Sequence, residues 1–189
     1  MINVSYGEID QLLMTQREVD FVVRAIREMP EDGLIVEWGS GGSTCKWLET
    51  ISASQRLISV EHNREWYDKV LRTTSSMFPG IGERFKFFHK PEKMPERYAH
   101  GYGKIEEENP FGMDEYVFPT PEIAEASVFL VDGIARGACA AVAAMRSKNR
   151  DAVILIHDFK FRMAAYNWIT QFFDLEVVET MAVLRRRKE

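Results

Sequence analysis

Cysteine is scarce in this chain. Cys45 and Cys139 are the two present among 189 residues, and they do not have the spacing of metal ligands. That pattern suits a reducing compartment with free thiols, although two cysteines are in principle able to pair. Basic charge is not in excess either: Lys and Arg total 24 against 29 Asp and Glu, a net charge of -5. Neither nucleic acid nor an anionic membrane is therefore an expected partner. No stretch is long and apolar enough to span a bilayer, "MINVSYGEID" has no basic-then-apolar leader, and no segment repeats. What remains is ordinary: 46% hydrophobic and 28% charged residues. One cytoplasmic domain over residues 1–189, large enough for a real core, is the expectation.

The apolar pattern alternates between two periods. "MTQREVDFVVRAIREM" places Val19, Val22, Val23 and Ile26 on one helical stripe. Thr15 with Glu18 reads as a capping box. "LIVEW" is a short strand, apolar on both faces as a covered parallel strand should be. "STCKWLETI" reads as a helix, "RLISVEH" as a strand, and Asn63 as the N-cap of a helix from about Arg64 to Met77. "RFKFFH", "ASVFLVD" and "AVILIHD" read as further strands. "ARGACAAVAAM" and "FRMAAYNWITQFF" read as helices. "LEVVE" and "AVLRRR" lie so close together that an antiparallel hairpin is expected. Strands alternating with helices argue for a Rossmann-like, doubly wound, mostly parallel α/β sheet with helices on both faces and this hairpin at its end.

Residues 89–126 break the pattern. They are rich in Pro, Gly, Tyr and charge, and too long for a simple connection. Tyr98, Tyr102, Phe111, Tyr116 and Phe118 suggest a lid that packs over a site. Trp38, Trp47, Trp66 and Trp168 are expected in the core.

The densest signal is "VEWGSGGST", residues 36–44, directly after the first strand. In a doubly wound sheet such a loop faces the crevice where strand order reverses, the usual place for a ligand. Gly39, Gly41 and Gly42 permit positive φ and close approach of backbone N–H groups. Ser43 and Thr44 open the next helix with its positive end toward the ligand. Dinucleotides and S-adenosylmethionine are both held this way. The dinucleotide pattern G-x-G-x-x-G asks for a third glycine at residue 44, which is Thr44. Glu37 at the loop's lip should repel a pyrophosphate and attract a methionine ammonium. Glu61, at the end of the next strand, stands where a carboxylate takes ribose hydroxyls in either ligand class.

"VEWGSGGST" followed by "LISVEHNREWYDKV" resembles the first two motifs of class I S-adenosylmethionine-dependent methyltransferases, with Ser43 in place of the third motif glycine. "FLVDG" and "LIHDF" resemble the ends of that fold's fourth and fifth strands. The likeness runs in order from about residue 15 to the C-terminus, apart from 89–126. "VDG…R…C" with "IHDF" and a terminal "MAVLRR" is more narrowly similar to small bacterial methyltransferase-like proteins. The resemblance implies S-adenosylmethionine as cofactor and a small molecule as methyl acceptor. Glu37 would then face the methionine amino group, and Gly39, Ser40, Gly41 and Gly42 would wrap the tail and ribose. Glu61 would hold the ribose, His62 would lie against the adenine, and Asp132 would sit near the methionine end.

Some O-methyltransferases of this fold hold a divalent metal at an aspartate after the fourth strand and an acidic pair after the fifth. Asp132 and Asp158 match, but the next residue is Phe159, which cannot ligate, so no metal is expected. Transfer to a hydroxyl oxygen then needs a base. His157 is the expected one, with Asp158 orienting it or the substrate and Asp132 in the same pocket. Arg136 is expected either to bind an acidic substrate or to cap a surface. Two alternatives stand beside this reading. One is a non-catalytic binder of the same cofactor and fold. The other is an NAD-dependent oxidoreductase, against which Glu37 and Thr44 weigh.

Overall fold

The computed structural model describes residues 6, 9, 12–91 and 113–187. The first helix, α1 (Gln16–Arg27), starts at the expected capping box. Thr15 Oγ1 accepts from the Glu18 amide, and Glu18 Oε2 accepts from the Thr15 amide at 2.8 Å. Val19, Val22 and Ile26 turn inward and are buried. β1 (Leu34–Trp38) leads through the glycine loop into α2 (Gly42–Thr50). β2 (Arg56–Glu61) and α3 (Arg64–Met77) follow, with the Asn63 side chain capping α3 through the Trp66 amide at 2.9 Å. Next come β3 (Phe85–His89) and a one-turn helix α4 (Asp114–Val117). β4 (Val128–Val131), α5 (Arg136–Arg146) and β5 (Val153–Ile156) continue the alternation. α6 (Met163–Thr170) and the hairpin β6 (Phe173–Val178) and β7 (Met181–Arg186) complete it.

The strands form one sheet in the order β3-β2-β1-β4-β5-β7-β6. The first five are parallel, and β7 runs antiparallel to both β5 and β6. This is the expected doubly wound architecture with a terminal hairpin. Alternation along each strand builds two cores. Leu34, Val36 and Trp38 of β1 face α5 and α6, where Cys139, Ala140, Ala143 and Tyr166 are buried. Ile35 faces the other way, against Val22 and Ile26 of α1 and Trp47 of α2. α3 packs beside α2, with Val70 against Cys45. Burial of each such aliphatic side chain contributes roughly 1.5–3 kcal/mol. Both cysteines are buried and free. No helix among the described residues is long and apolar enough to cross a membrane.

Two expectations shift. The tail of the 89–126 segment is core: Met113, Tyr116, Val117, Ile123 and Ala126 are all buried. Glu122 fastens it to the sheet through Arg56 and Lys86, each 2.6 Å away. Residues 92–112, with Tyr98, Tyr102 and Phe111, lie outside the described residues. Of the tryptophans, Trp38 and Trp47 are fully buried, but Trp168 is half exposed on α6 and Trp66 borders a crevice.

β2 and β4 flank β1 on opposite sides, so the chain leaves β1 and β4 in different directions. That divergence opens a crevice at the carboxyl ends of the strands.

Candidate functional site

A crevice of about 670 Å3 opens there, bordered by residues that follow β1, β2, β4 and β5. Its floor is backbone. Gly39 has φ +89°, and a Cβ on it would lie 2.5 Å from Gly133 N. A Cβ on Gly133, just past β4, would overlap the buried Tyr116 hydroxyl and sit 2.9 Å from Gly39 N. Two strand ends therefore touch through glycines, and neither position accepts a side chain. The rest of the loop is less constrained. Gly41 is extended (φ 167°), and a Cβ there would meet Trp66 at an ordinary 3.6 Å. Three loop amides are also spent internally: Gly39 on Val60 O, Ser40 on Glu61 Oε2 and Gly41 on Thr44 Oγ1. The expected donation to a ligand does not come from these three.

Glu37 is not at the lip. It follows Ile35 on the α1 and α2 side of β1, where strand alternation sends it beneath the loop. It is fully buried. Its Oε1 accepts from Ser43 Oγ (2.7 Å) and Trp47 Nε1 (3.0 Å). Its Oε2 accepts from Thr44 Oγ1 (2.6 Å) and Ser59 Oγ (2.7 Å). Burial pushes its pKa up to about 7, against the pull of the Ser43, Thr44 and Ser59 hydroxyls. Glu37, Ser43 and Thr44 thus form the frame behind the loop, and Gly42 is the buried first residue of α2. Buried there, Glu37 does not present its charge to a pyrophosphate at the loop's lip. Topology still separates the two folds: dinucleotide-binding sheets run 3-2-1-4-5-6, whereas here the antiparallel β7 stands between β5 and β6.

Glu61 does border the crevice. Its Oε1 accepts the amides of His62 (2.9 Å) and Asn63 (2.8 Å). Its Oε2 accepts the Ser40 amide (3.2 Å) and hydroxyl (3.1 Å). Burial alone would raise its pKa, but the His62 contact and the amide donors outweigh that, and it is lowered. The group is held as a carboxylate, and the Ser40 hydroxyl is a donor that can rotate away. His62 Nδ1 lies 2.9 Å from Glu61 Oε1 but is not aligned as a hydrogen bond and has no other hydrogen-bond partner among the described residues. Trp66 Nε1 donates to Ser40 O at 2.6 Å, tying α3 to the loop.

The ends of β4 and β5 bring Asp132, His157 and Asp158 to the opposite wall. His157 is 4% exposed. Its Nδ1 is 2.7 Å from Asp132 Oδ1, and its Nε2 is 3.7 Å from Glu18 Oε2. Burial lowers the His157 pKa, but the Asp132 hydrogen bond and the charges of Asp132, Asp158 and Glu18 outweigh it, so the net shift is upward. The Asp132 hydrogen bond holds Nδ1, and the upward shift favours the protonated ring, which offers no lone pair to a substrate. That weighs against the expectation of His157 as the base. Asp158 sits at φ +56°, a left-handed position that is strained for a non-glycine residue. Its side chain is 35% exposed.

No protein-family model matches the chain, and no curated protein matches it in sequence. Solved structures do. A methyltransferase-like protein from Silicibacter pomeroyi matches with a TM-score of 0.64 at 18% identity, over 96% of this chain and 90% of that one. The SAH-bound methyltransferase PaMTH1 of Podospora anserina matches with a TM-score of 0.59 at 12% identity, over 93% and 80%. A methyltransferase from Geobacter sulfurreducens gives 0.61 at 11%, over 92% and 80%. The chain has the class I methyltransferase fold.

Within this methyltransferase fold, the sequence located the crevice walls but misread its frame. Gly39, Ser40, Glu61, His62, Asp132, His157 and Asp158 meet there. Glu37, Gly41, Gly42, Ser43 and Thr44 do not border it. Sequence reasoning missed Gly133, Trp66, Leu13 and Arg162, which also line it, and the second role of Glu18. "VDG" marked the Gly133 turn; no periodic signal marks the others. Arg136 also lines the crevice, but it is 6% exposed, which excludes the expected surface cap, and its guanidinium lies beside the two aspartates. The cofactor fits what is present, because the Gly39–Gly133 floor admits close approach and Glu61 offers a fixed carboxylate. A divalent metal does not fit. Asp132 Oδ1, His157 Nδ1 and Asp158 Oδ2 are near enough to share an ion, but the Arg136 guanidinium is 3.5 Å from Asp132 and 3.6 Å from Asp158.

Proposed function

We propose that this chain binds S-adenosylmethionine and transfers its methyl group to the hydroxyl oxygen of a small molecule. The observation that carries the reading is Glu61. It is a buried, ionised carboxylate at the end of β2, facing a side-chain-free glycine floor at the switch point of the sheet. The bound cofactor supplies a methyl carbon made electrophilic by a sulfonium. Glu61 accepts the ribose hydroxyls in place of the Ser40 hydroxyl. His62 and Trp66 offer ring faces beside it. Asp158, the exposed carboxylate of the opposite wall, takes the proton of the acceptor hydroxyl as oxygen attacks. His157 holds Asp132 and Asp158 in place through its charge.

Calorimetry tests this directly. S-adenosylhomocysteine should bind and NAD should not. Glu61→Ala should weaken the binding by roughly 1.5–3 kcal/mol, the worth of hydrogen bonds to a charged group. Asp158→Asn should leave the affinity intact and cut turnover by about 10²–10⁴-fold, the range for a positioned base. Binding of NAD alone would overturn the assignment. A second reading, a binder without turnover, is favoured by the commitment of His157 Nδ1 to Asp132 at 2.7 Å. Cofactor binding with no S-adenosylhomocysteine formed across a panel of hydroxylated metabolites would select it.

A further inference from the structure

The β4 and β5 ends carry two carboxylates and an imidazole whose ligand atoms lie within 4.8 Å of one another. That is a plausible span for one hard cation, yet a guanidinium already lies against both carboxylates. Arg136 is the first residue of α5, and it follows Ala135, which is left-handed at φ +49°. That turn aims the side chain back across the strand ends. Its Nε donates to Gly133 O (2.8 Å), its Nη1 to His157 O (2.5 Å) and its Nη2 to Asp132 O (3.3 Å). Three carbonyls, from β4 and β5 ends alike, fix the planar fork in one orientation. Its side chain is 8% exposed. Nη2 lies 3.5 Å from Asp132 Oδ1, and Nη1 lies 3.6 Å from Asp158 Oδ2.

We infer that Arg136 is the resident cation of this site: its guanidinium takes the place a divalent metal would fill and keeps the Asp132–His157–Asp158 cluster from ligating one. A metal ion there would sit against a fixed positive charge in a poorly solvated place. It would also have to break the 2.7 Å bond between Asp132 Oδ1 and His157 Nδ1, two of its three ligand atoms. Arg136 is a positioning residue, holding the Asp132 and Asp158 carboxylates where they face the crevice. The corollary that methyl transfer runs without metal rests on the function proposed above. The statement about Arg136 does not.

The experiment needs neither cofactor nor acceptor. Purified full-length chain is titrated with Co²⁺, and the visible d–d absorption is followed. The wild type should bind no better than Asp158→Asn. Arg136→Met, which keeps the apolar stem and removes the charge, should bind Co²⁺ about 10–100-fold tighter than wild type, the range by which groups around a metal site tune its affinity. Adding Asp158→Asn to Arg136→Met should abolish that gain. Arg136→Lys should resemble wild type. A folded Arg136→Met that binds no tighter than wild type overturns the inference. So does saturable wild-type binding that Asp158→Asn removes. If Arg136→Met does not fold, the comparison of wild type with Asp158→Asn decides alone. A chain that binds no S-adenosylhomocysteine leaves all of these outcomes readable.

Discussion

Thr44 Oγ1 donates a 2.6 Å hydrogen bond to Glu37 Oε2, so the acid ahead of the glycine loop grips the helix behind it. With Ser43, Trp47 and Ser59 completing the set, this carboxylate joins β1, α2 and β2 at one point. Glu37→Ala would strand those donors. The hydroxyls can turn toward other acceptors, but the Trp47 indole N–H is fixed by a fully buried ring. An unsatisfied buried donor costs about 1–3 kcal/mol. Glu37→Ala should therefore lower unfolding stability by at least that much in urea, and Glu37→Gln by less, since its amide oxygen still accepts. Parent-like stability in the alanine variant would remove Glu37 from the frame.

The fate of Glu37 also shows what was legible in the sequence. The period-2 and period-3.6 patterns were enough for the sheet, its winding and its terminal hairpin, because each rests on local alternation. The Thr15–Glu18 box and the Asn63 cap were equally local. Glu61, Asp132, His157 and Asp158 were legible because strand ends in a doubly wound sheet converge on one crevice. Glu37 was misread from its chemistry, although "LIVEW" already placed it on the face of Ile35. The upward shift of His157 was not legible because one of its charged neighbours, Glu18, comes from α1, far away in sequence. The contacts of Arg136 were not legible because only the fold sets its guanidinium against carbonyls at the ends of both β4 and β5. Long-range electrostatics does not leave a periodic trace.

Gly133 supplies a sharper test of the crevice floor. Its Cβ position is filled by the Tyr116 hydroxyl and lies 3.0 Å from Gly39 Cα. Gly133→Ala must displace either the α4 segment or the loop after β1, and forced overpacking costs typically 1–3 kcal/mol. Gly41→Ala meets only Trp66 at van der Waals distance, and its extended backbone suits any residue. Thermal melts should therefore show a clear loss for Gly133→Ala and little change for Gly41→Ala. Cofactor affinity should follow the same order. Equal tolerance of both changes would mean that the two strand ends do not meet as described.

His157 ties the site to α1 and makes stability depend on pH in a definite direction. Its folded pKa is raised above 6.5 because the Asp132, Asp158 and Glu18 charges outweigh its burial. A raised pKa means the folded state binds the proton more tightly than the unfolded state. The stabilisation is complete below 6.5 and disappears as pH climbs through the folded value. Glu18 is the reverse case. Burial opposes its charge, but donors from Thr180 and Thr15, with His157, lower it below 4.5. Its contribution is present above 4.5 and fades as pH falls through its folded pKa. The Glu18–His157–Asp132 chain is therefore strongest between about 4.5 and 6.5. Glu37 adds a slope of the same sign as His157. Raised to about 7 chiefly by burial, it costs the folded state more as pH rises from 4.5 toward that value. Wild type should lose melting temperature relative to His157→Asn as pH rises above 6.5, and the gap should be widest near pH 6. Imidazole resonances followed by NMR should give a His157 midpoint above 6.5. A midpoint below that would make the ring neutral at physiological pH, free its Nε2 lone pair, and return the role of base from Asp158 to His157.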